Sequence, residues 1–173
     1  RFDKDNFIKN LLLDNLLLVD IYSRAKKLHI QTDVKRVVMI IETENSKDSN
    51  VLEMIRANFG SNSKDFITAV DENNVIVVKD LSEGDAGKEI EKTAKSAESV
   101  LVKEGMHGVR ISYGTIVNEI KDVSRSYKEA KMALDVGKIF FDERDIVAYS
   151  ELGIGRLIYQ LPIPLCKMFI KEI

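Results

Sequence analysis

The chain has 173 residues, 45% apolar and 31% charged, with a formal net charge of −2. That composition is that of a folded globular chain, not a disordered one, and suffices to bury one hydrophobic core with attached helices. The lone Cys166 excludes an intramolecular disulfide and fits a reducing, cytoplasmic setting, while the distant His29 and His107 give no zinc-type ligand spacing.

Charge and hydropathy narrow the partners. The isoelectric point is near 5.8, and acids are interspersed among the lysines and arginines, so no basic stripe of the kind that phosphate backbones require is present. DNA binding by this stretch alone is therefore not expected. The apolar run from Leu11 to Val19 is broken by Asp14 and Asn15, whereas a bilayer span takes about 20 apolar residues. No signal-peptide cleavage pattern follows it, and no membrane partner is expected. A chain that begins at Arg1 and ends inside an apolar helical pattern is expected to be part of something longer.

In chain order, residues 3–29 read as two helical pieces joined near Asp14-Asn15. In the second, Leu18, Ile21, Tyr22, Ala25 and Leu28 form a stripe, and Arg24, Lys26 and Lys27 gather at its C-terminal end, where positive charge suits the helix dipole. Periodicity leaves two roles open for this pair, a lid on the domain or an inter-subunit helix. Val37–Ile41 is a continuous β-favouring run of the length of a central strand, closed by Glu42. Val51, Leu52, Ile55 and Phe59 mark a helix that Gly60 ends. Residues 65–70 and 75–78 read as strands around the turn-forming Asp71-Glu72-Asn73-Asn74, a β-hairpin.

After Glu83-Gly84-Asp85 a long helix carries Ile90, Ala94, Ala97 and Leu101 on its inner face. In residues 108–114, Val109, Ile111 and Tyr113 alternate with Arg110 and Ser112, the period of a half-buried strand, with Tyr113 and Gly114 read as packing and turn. A helix over 123–137 follows, with Val123, Tyr127, Ala130 and Leu134 inward and Lys128, Glu129 and Lys131 facing water. Residues 146–149 are a last short strand. A helix is expected over Glu151–Leu161, broken by Pro162 and Pro164, and another from Leu165. The order β-α-β-β-α-β-α-β predicts an α+β fold, a ferredoxin-like sheet with flanking helices and helical extensions at both ends. No Walker loop, dinucleotide fingerprint, serine elbow or Cys/His pairing is present.

The strand ending in Ser112-Tyr113-Gly114, its polar loop and the Ala-, Lys- and Leu-rich helix resemble the last βα unit of GGDEF, diguanylate cyclase-like domains. In active members, the resemblance implies, acids ending the first strand and acids of the hairpin hold divalent metals, and two hairpin glycines let the nucleotide approach the backbone. Here Ala69-Val70-Asp71-Glu72-Asn73 stands where that family has Gly-Gly-Asp-Glu-Phe, and Glu42-Thr43-Glu44-Asn45-Ser46-Lys47 where it has Asp-x-Asp-x-Phe-Lys. Both glycines are gone and each Asp has become the longer Glu, a change to which octahedral magnesium is sensitive. Glu42, Glu44, Lys47, Asp71 and Glu72 are therefore expected to be degenerate cyclase positions serving as solvated loop groups. No catalytic residue, metal ligand or cofactor is assigned. The alternative is a divergent nucleotide cyclase, or a magnesium-nucleotide-binding domain, using Glu42, Glu44, Asp71 and Glu72.

Ser126-Tyr127-Lys128-Glu129-Ala130, continuing to Ala133-Leu134, and then Val147-Ala148-Tyr149-Ser150-Glu151-Leu152-Gly153 resemble the central region of CdaR/PucR-type transcriptional regulators, the sugar diacid and purine catabolism group. The resemblance spans about residues 7–172. It implies a nucleotidyl cyclase-like, GGDEF-like domain without catalysis that relays a signal in a homo-oligomeric regulator. Residues 1–34 would be a helical lead-in, 35–150 the degenerate domain and 151–173 a connector. DNA would be bound only through a C-terminal helix-turn-helix domain outside this sequence, and a small-molecule effector through an N-terminal one.

Overall fold

A computed structural model describes residues 2–44 and 50–153. Two helices lead in, α1 (Phe2–Leu12) and α2 (Leu18–Lys27), and the core elements follow as β1 (Arg36–Glu42), α3 (Val51–Phe59), β2 (Phe66–Ala69), β3 (Asn74–Asp80), α4 (Ala86–Lys103), β4 (Arg110–Tyr113), α5 (Val123–Phe140) and β5 (Ile146–Ala148). Short 3-10 turns, Ile120–Asp122 and Tyr149–Glu151, precede α5 and follow β5. The observed β-α-β-β-α-β-α-β order is the one that the hydrophobic periodicity predicts. The fold is α+β.

The strands form one mixed sheet in the order β2-β3-β1-β4-β5. β1 pairs antiparallel with β3 and β4, β2 with β3 likewise, and β4 with β5 in parallel. As the central strand, β1 is buried on both faces, which explains why its sequence is continuously apolar. Val37, Met39 and Ile41 pack with Val51 and Ile55 of α3 and with Ile90, Ala94, Ala97 and Leu101 of α4. Val38 and Ile40 face the opposite layer, where α1 contributes Phe7, Ile8, Leu11 and Leu12 and α5 contributes Val123, Tyr127, Ala130 and Leu134. Asp85 starts α4 by accepting a hydrogen bond from the Lys88 backbone N–H at 3.2 Å, an ordinary N-cap.

The lead-in helices lie on the domain as a lid in cis. α1 packs against β2 and α5, and α2 touches the 3-10 turn before α5. The stripe expected on α2 is only partly inward: Ile21 and Ala25 are buried, Tyr22 and Leu28 pack at the edge of the core, and Leu18 is exposed. Leu18 stands on the first turn, where the helix has only begun to meet the body. The joint itself is sharp, because Asp14 adopts φ +59°, a left-handed conformation that Asp tolerates better than most residues.

Two expectations fail at the layer between α5 and the sheet. β4 is not half-buried: it lies between β1 and β5, and Ser112 is fully buried, its Oγ donating to the Ala130 carbonyl at 2.7 Å. Glu129 does not simply face water. Its Oε1 accepts from the Thr115 backbone N–H at 2.9 Å and from the Thr115 hydroxyl at 2.6 Å. The helices expected over Glu151–Leu161 and from Leu165 lie, from residue 154 onward, outside the described residues.

Candidate functional site

Cyclase-like chemistry would need the end of β1 and the bend between β2 and β3 at the same end of the sheet, and the register provides that. Glu42, the last residue of β1, lies opposite Asn74, the first of β3. Topology therefore brings Glu42, Glu44, Asp71 and Glu72 to one end of the sheet. Lys47 lies outside the described residues.

Glu42 and Asp71 are committed separately, and Glu44 and Glu72 are exposed. Glu42 Oε1 makes an ion pair with Lys138 Nζ of α5 at 2.7 Å, which turns the carboxylate towards the helix layer. Glu44 leans across the loop before β4: its backbone N–H donates to the His107 carbonyl at 3.1 Å. Gly108 has φ +64°, a backbone conformation that favours glycine, and a Cβ there would stand 2.5 Å from Cγ of the exposed Glu44 side chain, which would have to swing aside. Asp71 holds the hairpin bend, its Oδ1 accepting the Asn73 and Asn74 backbone N–H groups at 2.9 Å each. Its Oδ2 accepts from Asn74 Nδ2 at 3.2 Å. This is the Asx-turn use of an aspartate. Glu72 is exposed at the tip.

Where an active hairpin has glycines, Ala69 is paired with Val75 in the ladder and Val70 packs against the core beneath α1 and α5. Among the described residues, no group of three or more His, Cys, Asp or Glu is placed to hold a metal ion. Two concavities lie elsewhere. A polar hollow of about 190 Å³ is lined by Lys64, Lys79, Ser82 and Glu89 near the far end of β3. An open groove of about 780 Å³ runs along the β2 edge between α1 and α3, past Asp5, Arg56 and Thr68. Neither includes Glu42, Glu44, Asp71 or Glu72.

The densest polar chemistry is a buried seam joining α5 to β1 and β4. Ser126 Oγ accepts the Val38 backbone N–H at 3.0 Å and donates to the Thr115 carbonyl at 2.8 Å. It thereby satisfies a β1 donor at the place where the chain after β4 leaves the ladder. Gly114 donates its N–H to the Val38 carbonyl at 3.1 Å, and any Cβ there would press into the Ser126 carbonyl oxygen. Ser112, Ser126, Glu129 and Ala130 thus act as one clamp. Beyond β5 a second clamp forms: Glu151 Oε1 accepts the Ala148 N–H at 2.9 Å and Oε2 pairs with Arg144 at 2.6 Å. Burial alone would raise the Glu151 carboxyl pKa, but the Ala148 N–H and the Arg144 guanidinium outweigh it and hold the pKa below its usual range.

Burial, with the Asp71 carboxylate second, raises the Tyr127 phenol, so the motif tyrosine stays neutral and packs. Sequence reasoning missed Ser112, Ser126 and Lys138 as participants. Ser126 carried a usable signal: it lies three residues after Val123 and four before Ala130, on the inward stripe. Lys138, beyond the helix end expected at 137, carried none.

The comparisons agree with this geometry at the level of the fold. The family model for the GGDEF-like domain matches residues 15–136. A solved structure, the regulator of polyketide synthase expression from Bifidobacterium adolescentis, superposes with a TM-score of 0.60 at 10% sequence identity, covering 91% of this chain and 59% of that one. No curated protein matches the chain. No helix among the described residues is long and apolar enough to cross a membrane.

Proposed function

The chain belongs to the GGDEF-like domain family, and from that premise we propose that it is a non-catalytic relay domain of a bacterial-type transcriptional regulator of the CdaR/PucR group. One observation carries the reading. The residues by which the chain resembles that group, Ser126, Tyr127, Glu129, Ala130 and Glu151, all have structural work, whereas at the cyclase-like end Asp71 is committed to a turn and Glu42 to an ion pair with α5. The structural neighbour's description as a regulator of expression points the same way. At 10% identity, over 59% of that chain, its likeness extends to the fold alone.

In this reading the domain couples neighbours and makes no product. DNA is bound by a C-terminal helix-turn-helix domain and the effector by an N-terminal one, in a cytoplasmic homo-oligomer. The lead-in helices transmit the rearrangement: α1 rests on β2 and α5 together, so a shift of α1 is felt at both. Such coupling requires two arrangements that the effector binds with different affinity.

A divergent magnesium-nucleotide site remains the competing reading, favoured by the register that collects Glu42 and the hairpin acids at one sheet end. Calorimetric titration of the chain with GTP and ATP in magnesium, run beside a product assay, separates the two. The relay reading expects no saturable heat and no product. Saturable binding with turnover, both lost in a Glu42→Gln, Glu72→Gln double variant, contradicts it.

A further inference from the structure

Four large apolar side chains stand in water within seven residues of the α1–α2 joint: Leu13 is 47% exposed, Leu17 72%, Leu18 57% and Val19 71%. Scattered exposed leucines need no explanation, but a cluster does. Leu16, between them, is turned onto the core. Leu17 occupies the N-cap of α2 and makes no side-chain cap bond, at a position where a helix start facing solvent favours Ser, Thr, Asp or Asn. The patch is also held in place. Asn15 N–H donates to the Asn10 carbonyl at 2.9 Å, Asp14 N–H to the Leu11 carbonyl at 3.2 Å, and Lys128 of α5 pairs with Asp14 at 3.1 Å. Little ordering entropy is left to lose on contact.

We propose that this elbow is the face through which two copies of the chain associate, which gives the subunit pairing of the proposed function a location and rests on that reading. The area fits. The four side chains offer on the order of 400 Å², the scale of the largest apolar patch on a soluble monomer. Two such patches face to face bury about 800 Å², and the polar rims around them supply the remaining third of the roughly 1,200 Å² at which stable interfaces begin. The charge fits as well. Exposed Asp14 is paired in cis with exposed Lys128, and exposed Asp20 and Arg24 of α2 carry opposite charges, so these rim charges balance and do not repel a second copy. A lipid surface would favour a rim of Lys and Arg alone.

Sedimentation equilibrium of the 173-residue chain tests this with Leu18→Glu and Val19→Glu at the elbow and Ile139→Glu as control. Ile139 is 57% exposed, near the far end of α5. The expected result is a wild-type dimer, at least tenfold weaker association in either elbow variant, and no change in the control, with far-ultraviolet circular dichroism the same in all four. Elbow variants as dimeric as wild type overturn the proposal while leaving subunit pairing intact. A wild-type chain that stays monomeric overturns both. Independently of any change in folding, oxidation of Val19→Cys in a Cys166→Ser background gives a chain-to-chain disulfide and Ile139→Cys does not; equal cross-linking of the two contradicts the location.

Discussion

The α5 seam and the cyclase-like end of the sheet use the same polar residue types to opposite purpose. In the seam, Ser112 and Ser126 are fully buried, and their hydroxyls bond across to Ala130, Val38 and Thr115, on elements distant in sequence. At the sheet end, Asp71 bonds to residues two and three positions away, and Glu42 reaches an exposed lysine. Buried polar groups are costly to leave unpaired and so fix one arrangement of the layers. Partly exposed ones can be exchanged at small cost. Changes at the cyclase-like end are therefore expected to leave the fold intact as long as the seam is kept.

The sharpest way to break this contrast is Gly114→Ala. The new methyl group meets the Ser126 backbone carbonyl, which cannot move without lifting α5 from β1, so a loss of more than about 3 kcal/mol is expected in urea denaturation. A variant as stable as wild type would mean that α5 is not held as described. A smaller effect is expected at the second clamp. Glu151→Gln should cost little and should do so in a pH-dependent way. Because the folded carboxyl pKa is lowered, its contribution is fully present above the ordinary carboxylate range and disappears as pH falls through the lowered value. The stability difference between wild type and variant, followed by thermal melts from neutral to acid pH, should therefore shrink on acidification. A constant difference would remove the Arg144 pairing as its cause.

How much the sequence reveals depends on whether a residue's neighbours are local. β1 announces itself by a continuous apolar run, and α4 by Ile90, Ala94, Ala97 and Leu101, all four of them buried, because periodicity is a local property. The hairpin bend is equally legible in Asp71-Glu72-Asn73-Asn74. Ser112 and Glu129 are not legible in this way, because a polar side chain in an alternating or helical pattern is assigned to water unless its partner is known. Their partners, Ala130 and Thr115, lie 18 and 14 residues away. Leu18 failed for the converse reason: the stripe on α2 is real, but tertiary packing begins one turn later, at Ile21. At the candidate site, motif comparison located Glu42, Glu44, Asp71 and Glu72 at one sheet end, yet gave no hint that Lys138 would engage Glu42 or that the 107–108 loop would receive Glu44.

Equilibrium denaturation of Ser126→Ala beside Glu42→Gln tests the contrast most directly. Removing the Ser126 hydroxyl strands the buried Val38 N–H and Thr115 carbonyl, and a loss of about 1–3 kcal/mol is expected. Neutralising Glu42 loosens one partly exposed ion pair, for which at most about 1 kcal/mol is expected. Equal losses, or the larger one at Glu42, would contradict the account.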